Sequence, residues 1–506
     1  MTAPLPRRRF LQGAAALTAT PWLAAGPARA ADQPRFALGV ASGQPRADGV
    51  VLWTRLTGGD LAERETVRWE MADDERFQRV VASGAETAEA AWAHSVHAEP
   101  AGLEPGRWYW YRFSALGERS SVGRTRTAPR PDAAATLRFA MTSCQRYDVG
   151  HYAAWRHVAA ESPDLVVFLG DYIYESPSRP DAIRRHEGTV ARTLSEYRAR
   201  YATYKSDPLL QVAHAAAPWL MIWDDHEVAN DYAGLQSADL DPGFARRRAA
   251  AYQAYWEHMP FPRSARPRGR DMRIVGRLDW GTLARIHLLD DRQYRDPQAC
   301  PKPGRGGTHT LPLADCAALA DPRRTLLGFE QERWLADGWD TVRPWNLLAQ
   351  QTLMARFTWQ DPAAGGSYWT DAWDGYAPAR QRLLGVVVEK RLPGVVVLGG
   401  DVHSNYVTAL QADCDDPSSP VIASEFCGTS ISSLGLAQSR IDAALGFNPH
   451  VLFGRSSQRG YASFEVTPKQ VAVRLQTVDR PLDPASGITT SARFVVELGR
   501  PGPVAA

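Results

Sequence analysis

Six short apolar runs each end in a side chain that can bind a cation or move a proton. They read "LRFAMTSCQ", "DLVVFLGDYIYE", "WLMIWDDHE", "ARIHLLDDRQY", "WNLLAQQ" and "GVVVLGGDVHSNY", and they deliver Cys144, Asp171, Asp225, Asp291, Gln350 and Asp401. Taken singly these residues say little. An Asp after Gly is often a turn residue, and a lone Cys is usually a small core side chain. Taken together they place metal-capable groups at the ends of many apolar runs. In "WDDHE" three acids and a histidine are contiguous, and such carboxylates repel one another unless a cation compensates them.

The elements that position these residues can be read from the pattern. Unbroken apolar runs are what strands buried on both faces look like. From Leu137 onward they alternate with longer helix-like or loop segments, which predicts a layered α/β body over residues 137–500. In open α/β sheets ligands bind beyond the carboxyl ends of the strands, so one edge of this body is predicted to be active. The last stretch, "ASFEVTPKQVAVRLQTVD" and "ARFVVELG", alternates and is expected to return strands to a sheet.

Upstream, from Phe36 to Thr127, short alternating runs are broken by Gly, Pro and Asp. They predict an N-terminal β-sandwich of immunoglobulin or fibronectin type within residues 31–130, with Trp53, Trp108, Tyr109, Trp110 and Tyr111 supplying core area. "TAPRPDAAAT" reads as the linker between the two parts.

Residues 1–30 read as an export peptide. Arg7, Arg8 and Arg9 precede a mildly apolar, Ala-rich stretch, and Ala28-Arg29-Ala30 offers a cleavage site. Arg-Arg-Arg-Phe-Leu resembles the twin-arginine variety, so the expected partner is that export machinery and the expected location is the periplasm or the medium. This segment carries four arginines and no acid, and its removal takes the formal charge from +2 to −2. No basic track suggests nucleic-acid binding, and no later segment is long and apolar enough for a stable membrane span. Of five cysteines, Cys300 and Cys316 bracket a Pro/Gly-rich loop that a disulfide would staple. Cys414 and Cys427 can also pair, which leaves Cys144 alone.

The motifs "SCQRYDVGHY", "LGDYIYE", "WDDHEVANDY", "LDDRQYR", "WDGY", "GGDVHSNY" and "SEFCGTSISS", in this order, resemble the PhoD-type alkaline phosphatases. These are metallophosphoesterases related to the purple acid phosphatases. The resemblance implies an αββα catalytic domain that hydrolyses phosphate esters. It also implies iron held by Cys144, Asp171, Tyr174 and His403. The chemistry agrees, because ferric ion favours anionic oxygen and accepts phenolate and thiolate, and Asp171 can bridge two cations through its two oxygens. Calcium takes oxygen ligands, and Asp171, Asp225, Asn230 and Asp401 fit by chemistry and by family position. Asp224 is a ligand, an outer neighbour of one, or the cap of the next turn. His226 stands where the related pattern has an Asn-His pair, with Asp225 replacing the Asn, and can protonate the leaving alcohol or hold phosphate. Arg146 and Arg292 follow strand ends and either clamp phosphate through bidentate hydrogen bonds or make surface salt bridges.

The expected activity is an exported phosphomonoesterase that also cleaves diesters. The nearest alternative is a phosphodiesterase or phospholipase-D-like enzyme on the same scaffold. A non-catalytic binding module is disfavoured by the complete ligand set. A dioxygenase would need two histidines and one carboxylate with open positions, whereas here the acids outnumber the histidines.

Overall fold

The computed structural model describes residues 34–416 and 418–506, so the expected export peptide lies outside the described residues. Two large sheets form the body. The central strands of the first, Leu137–Thr142, Leu165–Phe168 and Pro218–Met221, run parallel, with Val166 paired to both Ala140 and Trp219. The second has a parallel centre of Ala284–Leu288, Trp345–Ala349, Val395–Gly399 and Val421–Cys427, flanked by antiparallel Gly276–Trp280, Asn405–Gln411 and Val451–Arg455.

Why the apolar runs are unbroken is visible strand by strand. In Val395–Gly399, Val396 and Leu398 join the core between the sheets, while Val395 and Val397 join a second core under helices Phe329–Gly338, Ala377–Glu389 and Gln438–Leu445. Both faces are covered, so alternation disappears. The sheets meet where Phe426 packs edge-on to Phe464, with centroids 5.6 Å apart. On the first sheet, Trp155 of helix Ala153–Glu161 packs on Phe168 and Trp219 at 6.0 and 4.8 Å. Local signals start the neighbouring helices. Thr193 and Glu196 form a capping box before Leu194–Lys205, and Asp207 caps Pro208–Ala216, which has Pro at its first position. The result is the αββα layering that the resemblance implied.

The C-terminal strands return as expected, with Gly460–Val466 pairing antiparallel to Leu137–Thr142. The N-terminal region forms a sandwich that shares a wall with the body. Its outer sheet comprises Arg64–Ala72, Val80–Glu89, Trp108–Ala115, Glu118–Arg119 and Gly123–Arg126. Its inner wall is Val40–Arg46, Gly49–Arg55 and Ser95–Ala98, which extends the first large sheet because Ser42 pairs in parallel with Pro218.

Trp108–Ala115 alternates strictly, sending Tyr109, Tyr111 and Phe113 into the sandwich core. Trp108 and Trp110 occupy the opposite, half-buried face, where Arg124 lies 3.7 Å over the Trp108 ring. Trp53 also points away from the sandwich core and donates its indole N–H to Glu257 O of helix Phe244–His258 at 3.0 Å. Three of the five aromatics expected in the sandwich core therefore serve other surfaces.

Cys300 and Cys316 are disulfide-bonded, with Cα atoms 6.0 Å apart. Cys414 and Cys427 do not pair. Both are free thiols, that of Cys427 donating to Gly400 O at 3.2 Å and that of Cys414 facing Gln411 O at 3.8 Å.

Candidate metal centre

At the carboxyl edge of both sheets the chain turns sharply. Cys144, Asp171, Asp401 and His403 all have left-handed backbone, with φ of 58°, 58°, 63° and 52°. Such conformations are uncommon for residues with a Cβ and persist only where their surroundings enforce them. The glycines before the two aspartates are required by close approach. A Cβ on Gly170 would lie 2.5 Å from Asp224 Cβ, and one on Gly400 would lie 2.5 Å from Ser143 Oγ. Strand ends from distant parts of the chain are thereby drawn together.

Three groups of donor atoms result among the described residues. Cys144, Asp171 and His403 form one, Asp171, Asp225 and His226 a second, and Asp224, Asp225 and Asp401 a third, each with ligand atoms within 4.8 Å of one another. Asp171 and Asp225 are shared between groups. Tyr174 joins the first group, donating its hydroxyl to Asp171 Oδ2 at 2.7 Å and lying 3.1 Å from His403 Nε2. Asn230 is exposed and lines the cleft in front of these groups, while its backbone N–H donates to Glu175 at 2.9 Å. Asp291 and Gln350, also expected at this edge, are buried and hold neighbouring backbone. Asp291 Oδ2 accepts from Gln351 N–H at 3.3 Å, and Gln350 Oε1 accepts from Thr352 N–H at 3.1 Å.

Charge in this cluster is poorly compensated. Burial and neighbouring acids push Asp224 and Asp401 well above the usual carboxylate range, and Asp225 upward too, against the opposing pull of Arg292. Burial, then the charge of Asp171, raises the Cys144 thiol. Burial also works against Asp171, but His226 and His403 outweigh it and hold that carboxyl at about 2. Asp224 Oδ2, Asp225 Oδ1 and Arg292 Nη2 are buried without a hydrogen-bond partner among the described residues. Orphaned buried oxygens beside thiol, phenol and imidazole are what a cation site looks like before its cation is counted. The donor set fits the metals that the sequence implied.

Arg292 belongs to this interior. It is fully buried, its Nε donating to Asp224 and its Nη1 to Asp371 at 2.6 Å, and Asp225 and Asp401 lie 3.6 and 3.7 Å from Nη2. Both roles expected from the sequence are corrected here, because Arg292 is neither an open clamp nor a surface salt bridge. Arg146 stays at the rim, bonded to Asp148 at 2.8 Å and 5.3 Å from the Tyr174 ring centre.

Sequence reasoning assigned no role to several residues that hold the site. Glu227 accepts from the backbone of Asp171 at 3.0 Å, of Asp224 at 2.8 Å, and of Tyr172, stitching two strand-end loops together. Glu175 accepts from His226 Nδ1 at 2.7 Å, and His226 lines the cleft. Ser433 lies 2.7 Å from the Tyr174 hydroxyl, and Thr352 donates to Asp401 at 2.9 Å. Asp371 takes Arg292, Arg295 and Gln298 together. The only signal for Glu175 and Glu227 was their presence inside "LGDYIYE" and "WDDHE".

The cleft above these groups holds about 430 Å³ and opens to solvent. The same fold is found in a purple acid phosphatase isolated from yellow lupin seeds. That match has a TM-score of 0.57 at 10% identity and covers 90% of this chain and 74% of the other. That match shows the fold, and the donor groups at its edge make this fold a candidate metal centre.

Residues 139–475 match the model for PhoD-like phosphatase, and residues 21–129 match the model for its N-terminal domain. Alkaline phosphatase D of Bacillus subtilis (strain 168) is 42% identical over 485 residues, covering 92% of this chain and 82% of the relative. A solved structure of PhoD superposes with a TM-score of 0.89 at 42% identity, covering 94% of this chain and 92% of that one. The chain belongs to the PhoD-like phosphatases.

Proposed function

We propose that this phosphatase hydrolyses phosphate monoesters and diesters outside the cytoplasm, using iron and calcium. Iron would be held by Cys144, Asp171, Tyr174 and His403, and calcium by Asp171, Asp225, Asn230 and Asp401, with Asp224 as an outer neighbour committed to Arg292. The observation that carries the reading is the interlocking of three donor groups through Asp171 and Asp225 at the floor of an open cleft. When bound, the cations supply positive charge for the phosphoryl oxygens and ease the presentation of an anionic oxygen nucleophile.

The protein's own residues do the rest. His226 sits with Glu175 on Nδ1 and its ring 4.1 Å from that of Tyr174. Burial works against its charge, but Asp171, Glu175 and Asp225 outweigh that and raise it well above the ordinary histidine range. With Glu175 on Nδ1, its Nε2 is the ring nitrogen left to donate to a phosphoryl or leaving oxygen. Arg146, held on Asp148 at the rim, is a cation placed near incoming phosphate. The diester reading is favoured by the cleft itself, which continues past the acids to Trp359 and Trp369 and leaves room for a second ester arm. The N-terminal peptide supports export by the twin-arginine route.

Rates on p-nitrophenyl phosphate and bis-p-nitrophenyl phosphate, before and after EGTA and with calcium restored, test this. Turnover of both esters, lost to EGTA and recovered with calcium, is expected. Indifference to EGTA would remove calcium from the account, and turnover of one ester alone would settle the ratio against dual use.

A further inference from the structure

Arg459 carries a buried charge that the mechanism above does not use. It lies immediately before the strand Gly460–Val466, is 5% exposed and takes no part in lining the cleft. No carboxylate pairs with it among the described residues. Its guanidinium donates to neutral oxygens instead. Nη1 reaches His403 O and Thr429 Oγ1, both at 3.0 Å, and Ser430 Oγ at 3.2 Å, while Nη2 reaches Ser456 O at 2.6 Å. A buried charge without a counter-charge is destabilising, and hydrogen bonds to neutral groups offset only part of that. We propose that Arg459 is a positioning residue for the iron, a fixed positive charge that complements the Cys144 thiolate and Tyr174 phenolate formed when the metal displaces their protons. The proposal rests on the iron reading above and names the group that steadies those ligands as anions.

Two lines of contact join Arg459 to the ligands. The first is direct, through the backbone carbonyl of His403. The ring of that histidine is fixed as well, its Nδ1 donating to Leu434 O at 2.8 Å while Nε2 lies 3.1 Å from the Tyr174 hydroxyl. The second line runs through the loop after the strand Val421–Cys427. Ser430 Oγ accepts from Arg459 and donates to Ser433 O at 2.5 Å. Ser433 Oγ in turn lies 2.9 Å from Cys144 O and 2.7 Å from the Tyr174 hydroxyl. The ionisable groups whose charge acts on Arg459 are Cys144 and Tyr174, in that order.

A thiol and a phenol are neutral groups until a metal binds them, and ligation requires their anionic forms. Loading iron therefore adds two negative charges to an interior where the guanidinium, always protonated, is already in place. Groups that contact ligands from behind in this way tune the metal they serve. A positive charge nearby favours the reduced state of the iron, because it attracts the added electron. It also stabilises electrons on the ligand anions, so moving one of them to ferric iron by light takes more energy. Removing the charge should shift both properties the other way.

Wild type, Arg459→Gln and Arg459→Lys, each purified with its metals and checked by circular dichroism, separate charge from bracing. Glutamine keeps hydrogen-bond donors without the charge, and lysine keeps the charge without the planar fork. The readouts are iron content, the visible absorption band of the ferric protein and the midpoint potential of the iron. Arg459→Gln should hold less iron, and what it holds should absorb at longer wavelength and have a lower potential. Arg459→Lys should match the wild type in band and potential while unfolding at lower urea concentration. A band and potential unchanged in Arg459→Gln, or shifted alike in both variants, would overturn the charge role and leave Arg459 a brace for His403. Should Arg459→Gln not fold, Arg459→Lys decides alone. Wild-type band and potential then support the charge, and a shift, a loss of iron or a failure to fold overturns it. A wild type without iron would overturn the iron reading and the proposal with it.

Discussion

At the scale of single residues, the site is a problem of charge. Four aspartates converge on one guanidinium, and Arg292 cannot neutralise them all. Removing it leaves buried carboxylates without their partner, a loss that typically costs about 3–5 kcal/mol. We expect Arg292→Met to destabilise the protein by that order in urea unfolding with chelator present, which separates the ion-pair loss from metal loss. Arg146→Met, at the rim, should cost less than that, because Asp148 keeps the Arg179 N–H, and raise KM instead. A small stability change for Arg292→Met with a large rise in KM would return Arg292 to the phosphate-clamp role. The ligand types were legible in the sequence, because thiol, phenol, imidazole and carboxylate declare their chemistry. Glu175, Glu227 and Asp371 were not. Their roles depend on backbone and side chains some fifty or more positions away, as when Glu227 meets Asp171 and Tyr172 across 56 and 55 residues.

At the scale of elements, buried histidines tie strands to helices. His97 of the strand Ser95–Ala98 stacks on Trp256 of the helix Phe244–His258, with centroids 3.8 Å apart, and its Nδ1 meets Phe261 O at 2.8 Å. Burial lowers His97 from 6.5 to about 3. The folded state therefore refuses a proton that the unfolded chain accepts. Stability is whole above about pH 6.5 and is lost as pH falls from there toward 3, by up to about 1.4 kcal/mol per pH unit. The unfolding free energy of His97→Gln should consequently fall less steeply between pH 6.5 and 4.5 than that of the wild type. Parallel slopes would show that His97 takes up its proton in the folded protein. The element pattern itself was readable where local physics sets it, in doubly covered strands and in the strict alternation of Trp108–Ala115. The pairing of Ser42 with Pro218 was hidden, since parallel partners so far apart leave no local mark on either segment.

At the scale of the whole molecule, that pairing means the N-terminal sandwich completes the catalytic sheet. Val40–Arg46 covers what would otherwise be an open edge at Pro218–Met221, and Met221 lies three residues before Asp224. An exposed parallel edge invites aggregation. We expect a fragment of residues 130–506 to be insoluble, or soluble only without bound metal. A well-behaved, active fragment would show that the sandwich is an accessory. The cations themselves are read by the metal content of purified wild type and Asp171→Asn, measured by elemental analysis without chelators. Because Asp171 is shared between donor groups, the wild type should carry both iron and calcium and the variant should lose both while keeping a native circular dichroism spectrum. Zinc alone in the wild type, or both metals retained in the variant, would contradict the account.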